Sequence, residues 1–259
     1  MLWERKFTTF EFPGAQDTFV SAINSSGTIA GSYTTNDGAP HRFLRSANGA
    51  FTAIQGPDGQ NVTLRAINNA GSTAGIYYGP SGAIGFIRSA DGAFTTFSFG
   101  TSFISIAGLN SAGDVAGCFF NDSDAQSFVR TANGSVTLFS AASSGSTCPT
   151  GVNDYGVIVG YFTDPDLTVY HGYVRTPDGT ITSIDVPGAG HGAYGGTYPQ
   201  SINGAGTIAG WYADAAGASH GFLRPANGAL RTFDAPNAGT ADGQGTNPNA
   251  INSIGVITG

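Results

Sequence analysis

Short runs of β-branched and aromatic residues, bounded by glycine, asparagine and aspartate, recur along the whole chain. FTAI, FTTF, VTLF and ITSI are examples, and runs of this kind are typical of β-strands. No segment has the period of an amphipathic helix. The pattern of apolar and polar positions therefore predicts an all-β protein.

The octet N-x-x-G-x-x-x-G occurs six times, with its three marked positions filled in every copy. The copies are Asn24–Gly31, Asn68–Gly75, Asn110–Gly117, Asn153–Gly160, Asn203–Gly210 and Asn252–Gly259. Asparagine can close a tight turn on its own backbone, and glycine supplies an unusual φ there. We therefore expect each octet to contain the turn between the first and second strands of a repeat.

A second block follows five of the octets: HRFLR, IGFIR, QSFVR, HGYVR and HGFLR. A turn such as SANGA or SADGA comes next, and then a short β-rich run. Four strands in a repeat of 40–50 residues are typical of a β-propeller. A linear solenoid is the alternative, but it would need end caps that differ from the repeats.

The prediction is one β-propeller domain over residues 1–259, with six blades of four antiparallel strands. The repeats cover about 18–56, 62–99, 103–141, 147–186 and 198–235, and residues 245–259 plus 1–12 form the closing blade. This blade lacks an obvious third strand and is therefore incomplete, unless Leu2–Glu4 fills the gap.

Composition excludes several classes of protein. The 259 residues carry a net charge of −7, and Lys6 is the one lysine, which argues against binding nucleic acid or anionic lipid. No apolar run reaches the ~18 residues of a membrane span. The first ten residues contain no apolar signal-peptide core, so the chain is either cytosolic or the mature form of an exported protein. Two cysteines, Cys118 and Cys148, favour buried free thiols over a single bridge.

The pattern INxxGxIxGxY, followed by HGFLR and then by FTTFDxPGA, resembles the bacterial extracellular HAF repeats, named after a His-Ala-Phe tripeptide. Ser201–Asn237 is the best copy, and the resemblance covers essentially the whole chain. It implies an extracellular or periplasmic location and implies no particular activity. None of the five tripeptides here is His-Ala-Phe, and two of them lack the histidine.

Comparison of the six copies separates scaffold positions from candidate site positions. The residue before each Asn is always apolar and the one before that is always small, as packing near an axis requires. One position earlier the residue varies and is mostly polar. We predict that this column lines a central pocket, with ordered channel water as the simpler alternative. Its polar members are Ser21, Arg65, Thr150, Gln200 and Asn249.

Arg65 lies outside the column of repeated arginines and is suited to a carboxylate or a phosphate. The repeated arginines themselves are more simply scaffold donors to turn carbonyl groups. Trp211 and Tyr212 are candidates for stacking on a sugar ring, although filling the core is the commoner role of such residues. Tyr198 is a polar neighbour of the candidate column and a further candidate ligand-binding residue.

Two acidic loops have a D-x-D spacing compatible with calcium, although neither has the length of an EF-hand loop. They place Asp122, Asp124, Asp164 and Asp166 as candidate ligands, with solvated turn carboxylates as the simpler alternative. His191 lies in the glycine-rich segment Pro187–Gln200 and is the candidate catalytic base. The chain contains no H-E-x-x-H or P-loop motif.

The sequence thus favours a secreted module that binds a glycan or a cell-surface polymer at the mouth of a propeller channel. The alternative is a metal-dependent, calcium-type hydrolase or lyase that acts on a small ester, lactone or phosphoester. A structural interaction scaffold is a third possibility. The sequence leaves the oligomeric state open.

Overall fold

The computed structural model describes residues 9–121, 124–143, 145–164, 168–191 and 195–259. Its described residues form 22 β-strands in sequential, antiparallel sheets, as the all-β prediction requires. A short 3-10 helix, Pro57–Gly59, lies between the first two sheets. No helix in the described part is long and apolar enough to cross a membrane.

The strands form three four-stranded sheets, one eight-stranded sheet and one two-stranded sheet. The eight-stranded sheet consists of two consecutive sets of four strands, so we treat each set as a sheet and number the five sets of four I to V along the chain. Sheet I contains β1 (Asp17–Ile23), β2 (Ile29–Thr34), β3 (Pro40–Arg45) and β4 (Phe51–Ile54). Sheet II contains β5 (Val62–Ile67), β6 (Thr73–Gly79), β7 (Gly82–Arg88) and β8 (Phe94–Phe97). Sheet III contains β9 (Ile104–Leu109), β10 (Val115–Asn121), β11 (Asp124–Arg130) and β12 (Val136–Phe139).

Sheet IV contains β13 (Thr147–Val152), β14 (Ile158–Thr163), β15 (Val169–Arg175) and β16 (Ile181–Ile184). Sheet V contains β17 (Gly195–Ile202), β18 (Ile208–Ala213), β19 (Ser219–Arg224) and β20 (Arg231–Phe233). Sheet VI contains β21 (Ala250–Ile251) and β22 (Ile257–Thr258). A short parallel pairing of β17 with β15 joins sheets IV and V, and no sheet in the described residues closes on itself.

The octets form the turns that the sequence predicts. In each copy the Oδ1 of the asparagine accepts a hydrogen bond from the backbone N–H four residues later, at 2.8–3.0 Å. In sheets I to V the final glycine of the octet has a different role, because it faces an aromatic side chain of its own sheet. A Cβ on Gly75 would lie 2.0 Å from the carbonyl oxygen of Thr63 and 2.9 Å from the ring of Phe86. Only glycine therefore fits the place where the second strand crosses this ring.

One aromatic residue from the third strand anchors each of sheets I to V. All five of these side chains are completely buried: Phe43, Phe86, Phe128, Tyr173 and Phe222. The cores lie between neighbouring sheets, so that Ala30 and Ile54 of sheet I pack with Val62, Leu64 and Ile67 of sheet II. Each sheet consequently covers the first strand of the sheet that follows it.

The octet asparagines also connect neighbouring sheets. The Nδ2 atoms of Asn24, Asn68, Asn153 and Asn203 each donate to the main-chain carbonyl oxygen of the next octet's asparagine, at 2.9–3.2 Å. Asn110 departs from this pattern, because its Nδ2 donates to Asp114 in its own turn. Sheets III and IV are connected by a different bond, in which the N–H of Ser111 donates to the carboxylate of Asp154.

The expectation of free thiols is wrong. Cys118 of β10 and Cys148 of β13 form a disulfide with a Cα–Cα distance of 5.4 Å. The two residues lie on neighbouring sheets, III and IV, and the packing of these sheets brings them together. This proximity depends on the tertiary arrangement, which the spacing of two cysteines does not reveal.

Candidate functional site

The predicted site column consists of β-bulge residues. In sheet II, Leu64 pairs with Gly75 and Ala66 pairs with Ala74, so that the register skips Arg65. In sheets I, III, IV and V the pairing between the first and second strands also skips the equivalent residue of the first strand. The full set is Ser21, Arg65, Ala107, Thr150 and Gln200. A bulge frees one residue from the ladder and redirects its side chain, and bulges are common beside active sites.

A cavity of about 360 Å³ lies against the first strands of sheets III, IV and V. Three bulge residues, Ala107, Thr150 and Gln200, line this cavity together with Tyr161 and Cys148. We call it the central cavity. Among the described residues, no hydrogen-bond partner is found for the side-chain amide of Gln200. Burial raises the pKa of Tyr161, so its phenol stays protonated at neutral pH. The cavity therefore offers neutral hydrogen-bonding groups.

Thr150 also has a structural role. Its hydroxyl donates to the main-chain carbonyl oxygen of Pro199 at 2.7 Å and so connects sheet IV to sheet V.

Of the other predicted pocket residues, Ser21, Arg65 and Asn249 are exposed and lie outside the lining of the central cavity. Asn249 precedes β21, and its N–H donates to Thr258, the residue that also pairs with Ala250.

Four aromatic side chains form a cluster beside the central cavity. Tyr198 and Trp211 stack with their ring centroids 3.9 Å apart and their planes 13° apart. Tyr198 also contacts Tyr161 and Tyr170 at 5.8 Å and 4.9 Å. Tyr198 is only 7% exposed, whereas Trp211 is half-buried. Trp211 is therefore the more accessible of these two candidate ligand-binding residues.

His191 lines a second cavity of about 310 Å³, which we call the loop cavity. The loop is anchored just before His191, where the N–H of Gly190 donates to the carbonyl oxygen of Ala213 at 2.7 Å. His171 and Asp185 line the same cavity, with the Nδ1 of His171 2.8 Å from an oxygen of Asp185. This pair is not among the site residues predicted from the sequence. The same fourteen-residue spacing in His220 and Asp234 is the signal that would have revealed it.

The His171–Asp185 and His220–Asp234 pairs both use the Nδ1 of the histidine, and they differ at Nε2. In His220, Nδ1 lies 2.9 Å from Asp234 and Nε2 lies 3.4 Å from Asp214. Burial favours the neutral ring, but these two carboxylates outweigh it and raise the pKa of His220. Among the described residues, the Nε2 of His171 has no hydrogen-bond partner. In sheet IV, therefore, one imidazole nitrogen is left available in the loop cavity.

Of the predicted calcium ligands, Asp124 and Asp164 lie outside the linings of both cavities. Asp122 and Asp166 are outside the described residues, and Asp124 is exposed at the hairpin between β10 and β11. Asp164 accepts hydrogen bonds from the N–H groups of Thr168 and Val169, which lower the pKa of its carboxyl. No cluster of three metal-ligating side chains is present among the residues that the structure describes. Calcium binding stays a prediction.

Several solved structures share this fold. Virginiamycin B lyase from Staphylococcus aureus, a catalytically inactive variant with quinupristin, has 15% sequence identity and a TM-score of 0.57 over 91% of this chain and 74% of that chain. The structure of a putative TolB from Agrobacterium tumefaciens has 14% identity and a TM-score of 0.60 over 91% and 86% of the two chains. TolB from Acinetobacter baumannii has 13% identity and a TM-score of 0.58, over 83% of this chain and 53% of that one.

No protein-family model and no curated protein sequence matches the chain. The structural likeness therefore identifies the fold alone, which is that of β-propeller proteins.

Proposed function

We propose that this chain is a ligand-binding β-propeller module and that its ligand is a glycan or a cell-surface polymer. The observation that carries the proposal is the set of five bulge residues, which differ between repeats although their backbone position is the same. A scaffold needs no such variation at equivalent positions. A ligand that contacts several sheets at once would require it.

The chemistry of the central cavity supports a neutral, hydroxyl-rich ligand. Gln200 supplies both a donor and an acceptor, and the phenol of Tyr161 adds a further hydrogen-bonding group. The half-buried indole of Trp211 lies in the adjoining aromatic cluster and supplies an apolar surface for a sugar ring. Arg65, at the same bulge position in sheet II, would bind a carboxylate or a phosphate group on a longer polymer.

The same proposal includes a six-bladed ring in which sheet VI lies before sheet I. Phe12 stacks on Tyr33 at 3.7 Å, as Phe99 stacks on Phe119 at 4.2 Å at the junction of sheets II and III. Phe10 likewise lies beneath Arg45, as Phe97 lies beneath Arg130. These contacts support residues around Phe10 as the last strand of the blade before sheet I.

An oxidising compartment is the expected location. The Cys118–Cys148 disulfide supports it, because such bonds persist outside the cytosol. The proposed relation to HAF-type repeats points in the same direction. We therefore propose a location outside the cell or in the periplasm.

The direct test is binding of the purified chain to panels of glycans and bacterial surface polymers, followed by titration of each positive. We expect saturable binding that Gln200→Ala weakens at least tenfold. Arg231→Ala, an exposed change on β20, serves as the matched control and should bind as wild type does. The proposal is wrong if no panel member binds saturably, or if both variants bind equally well.

A second candidate function is hydrolysis or elimination in the loop cavity, favoured by the His171–Asp185 pair beside His191. Asp185 would hold the imidazole through Nδ1, and Nε2 would accept a proton from water or from a substrate carbon. Screening of esters, lactones and phosphoesters tests this candidate. Turnover that survives both His171→Ala and His191→Ala excludes it, and sensitivity to chelation separates a metal-dependent reaction from a metal-free one.

A further inference from the structure

The central cavity and the loop cavity border the same end of sheet IV, where β13 begins and β14 ends. Thr147 of β13 pairs with Phe162 of β14, and Phe162 pairs in turn with His171 of β15. At the next register position Cys148 pairs with Tyr161. Cys148 and Tyr161 line the central cavity, and His171 lines the loop cavity. The two cavities therefore lie at the same level of the sheet.

One strand, β14, separates the two cavities within sheet IV. The strand order places it between β13, which contributes Cys148 and Thr150 to the central cavity, and β15, which contributes Tyr170 and His171 to the loop cavity. Neighbouring strands lie about 4.8 Å apart, so that β13 and β15 are separated by about 10 Å. A chain of a few sugar units spans that distance.

Two tyrosine rings connect the cavities. Tyr161 lines the central cavity and Tyr170 lines the loop cavity, and the two rings meet edge to face with their centroids 5.5 Å apart. Tyr198 of sheet V contacts both rings, at 5.8 Å and 4.9 Å, and supports them from the buried side. Tyr161 and Tyr170 are themselves half-buried, so part of each remains accessible. Accessible aromatic rings of this kind suit the apolar face of a sugar.

Both ends of this path offer hydrogen-bonding groups. At the loop end, Asp185 lies 2.8 Å from the Nδ1 of His171, and among the described residues the Nε2 of His171 has no hydrogen-bond partner. His191 is exposed in the lining of the same cavity. At the other end, Gln200 presents its side-chain amide to the central cavity. A ligand that carries hydroxyl groups along its length can therefore bind at both ends.

We propose that the two cavities are subsites of one extended site, and that its ligand is a linear glycan of several sugar units that crosses sheet IV from the first strand to the third. One unit contacts Gln200, the next lies against Tyr161 and Tyr170, and a later unit contacts His171 and His191. This inference rests on the proposed function, because it takes the central cavity as a glycan site. It deepens that function by assigning the length and the course of the ligand.

The probes are cello-, xylo-, manno- and chito-oligosaccharides of two and six units, titrated into the full chain by calorimetry at pH 8. A hexamer that binds should do so about tenfold or more tightly than its dimer, because the second cavity adds contacts to a ligand that is already held. His171→Gln should lower the hexamer affinity towards that of the dimer and leave the dimer, which occupies the central cavity, unchanged. His220→Gln is the equivalent change in sheet V and should alter neither affinity.

His191→Ala should also weaken the hexamer alone, and this change at an exposed position keeps the test valid if His171→Gln fails to fold. Equal affinities for dimer and hexamer overturn this inference, as does a hexamer affinity that both histidine variants leave unchanged. Weaker binding in Gln200→Ala would still support the proposed function in either case. Failure of every hexamer to bind overturns the assignment to a linear glycan. Failure of the wider panel of polymers as well overturns the proposed function itself.

Discussion

The Nδ2 of Asn68 donates a hydrogen bond to the main-chain carbonyl oxygen of Asn110 at 2.9 Å, across 42 positions of the sequence. The Oδ1 of the same side chain accepts from the N–H of Ser72 at 2.9 Å and closes the turn of sheet II. One amide therefore stabilises a turn and a contact between sheets. Aspartate could perform the first role but has no N–H for the second.

Asn68→Asp should destabilise the protein by about 1–3 kcal/mol, because it removes a buried donor and leaves the carbonyl oxygen of Asn110 without it. Denaturant unfolding at pH 7 measures the change. Asn252→Asp is the matched control, because Asn252 closes an equivalent turn and its Nδ2 donates no such bond between sheets among the described residues. Equal losses in the two variants would contradict a role for the contact between sheets.

Removal of the disulfide should cost about 3–4 kcal/mol, the loop-closure value for a separation of 30 residues. The measurement is the free energy of unfolding of the protein with and without a reductant. The double variant Cys118→Ser, Cys148→Ser should match the reduced protein and should not respond to reductant. If reductant still lowers the free energy of unfolding of this variant, the lost stability does not come from the Cys118–Cys148 bond.

Gly210→Ala should cost about 3 kcal/mol or more, because its Cβ would lie 2.3 Å from the carbonyl oxygen of Tyr198 and 2.7 Å from the ring of Phe222. Gly204→Ala in the same octet is the control, since its Cβ would meet nothing within 4 Å. This change should be neutral or should stabilise the fold by about 0.4–1 kcal/mol through the unfolded state. Thermal unfolding of both variants tests the contrast, and equal melting temperatures would refute it.

The contribution of His220 to stability should depend on pH. Hydrogen bonds to Asp234 and Asp214 overcome burial and raise its pKa, so the folded protein binds the proton more tightly than the unfolded chain does. The stabilisation is complete below the unfolded pKa of about 6.5 and disappears as pH rises through the higher folded value. His220→Gln should therefore cost more stability at pH 5.5 than at pH 8.5 in denaturant unfolding.

Asp234→Asn should reproduce this pH dependence, because it removes the carboxylate that lies 2.9 Å from Nδ1. Each of the two variants is compared with wild type in the same buffers. A cost that is equal at both pH values would show that these carboxylates do not stabilise the protonated ring.

The turns and strands were predictable because their determinants are local. An asparagine that bonds the N–H four residues later, and a glycine beside it, act within a few residues of one another. The candidate column was found for a different reason, because internal repeats allow equivalent positions to be compared. The sequence does not show that Arg65 and Gln200 are bulge residues, since a bulge is a property of register between two strands.

The loop cavity was only partly predictable. In the sequence, His191 is distinguished as the one histidine outside the third-strand block, whereas His171 belongs to that block and is not distinguished from the other copies. Its partner, Asp185, lies fourteen residues later in the sequence, just after the second strand of the hairpin that begins with the strand of His171. The hairpin register brings the two side chains together, and the repeat of this spacing in sheet V was the available signal.

The sequence by itself determined the strand order, the turns and the repeat, because short-range hydrogen bonds and the steric freedom of glycine specify them. The tertiary structure alone decided the Cys118–Cys148 bond, the contact of Asn68 with Asn110, and the grouping of Thr150, Gln200 and Tyr161 around one cavity. These relationships join residues of different sheets. They depend on how buried aromatic side chains such as Phe86 and Phe128 pack one sheet against the next, which is a property of the assembled core.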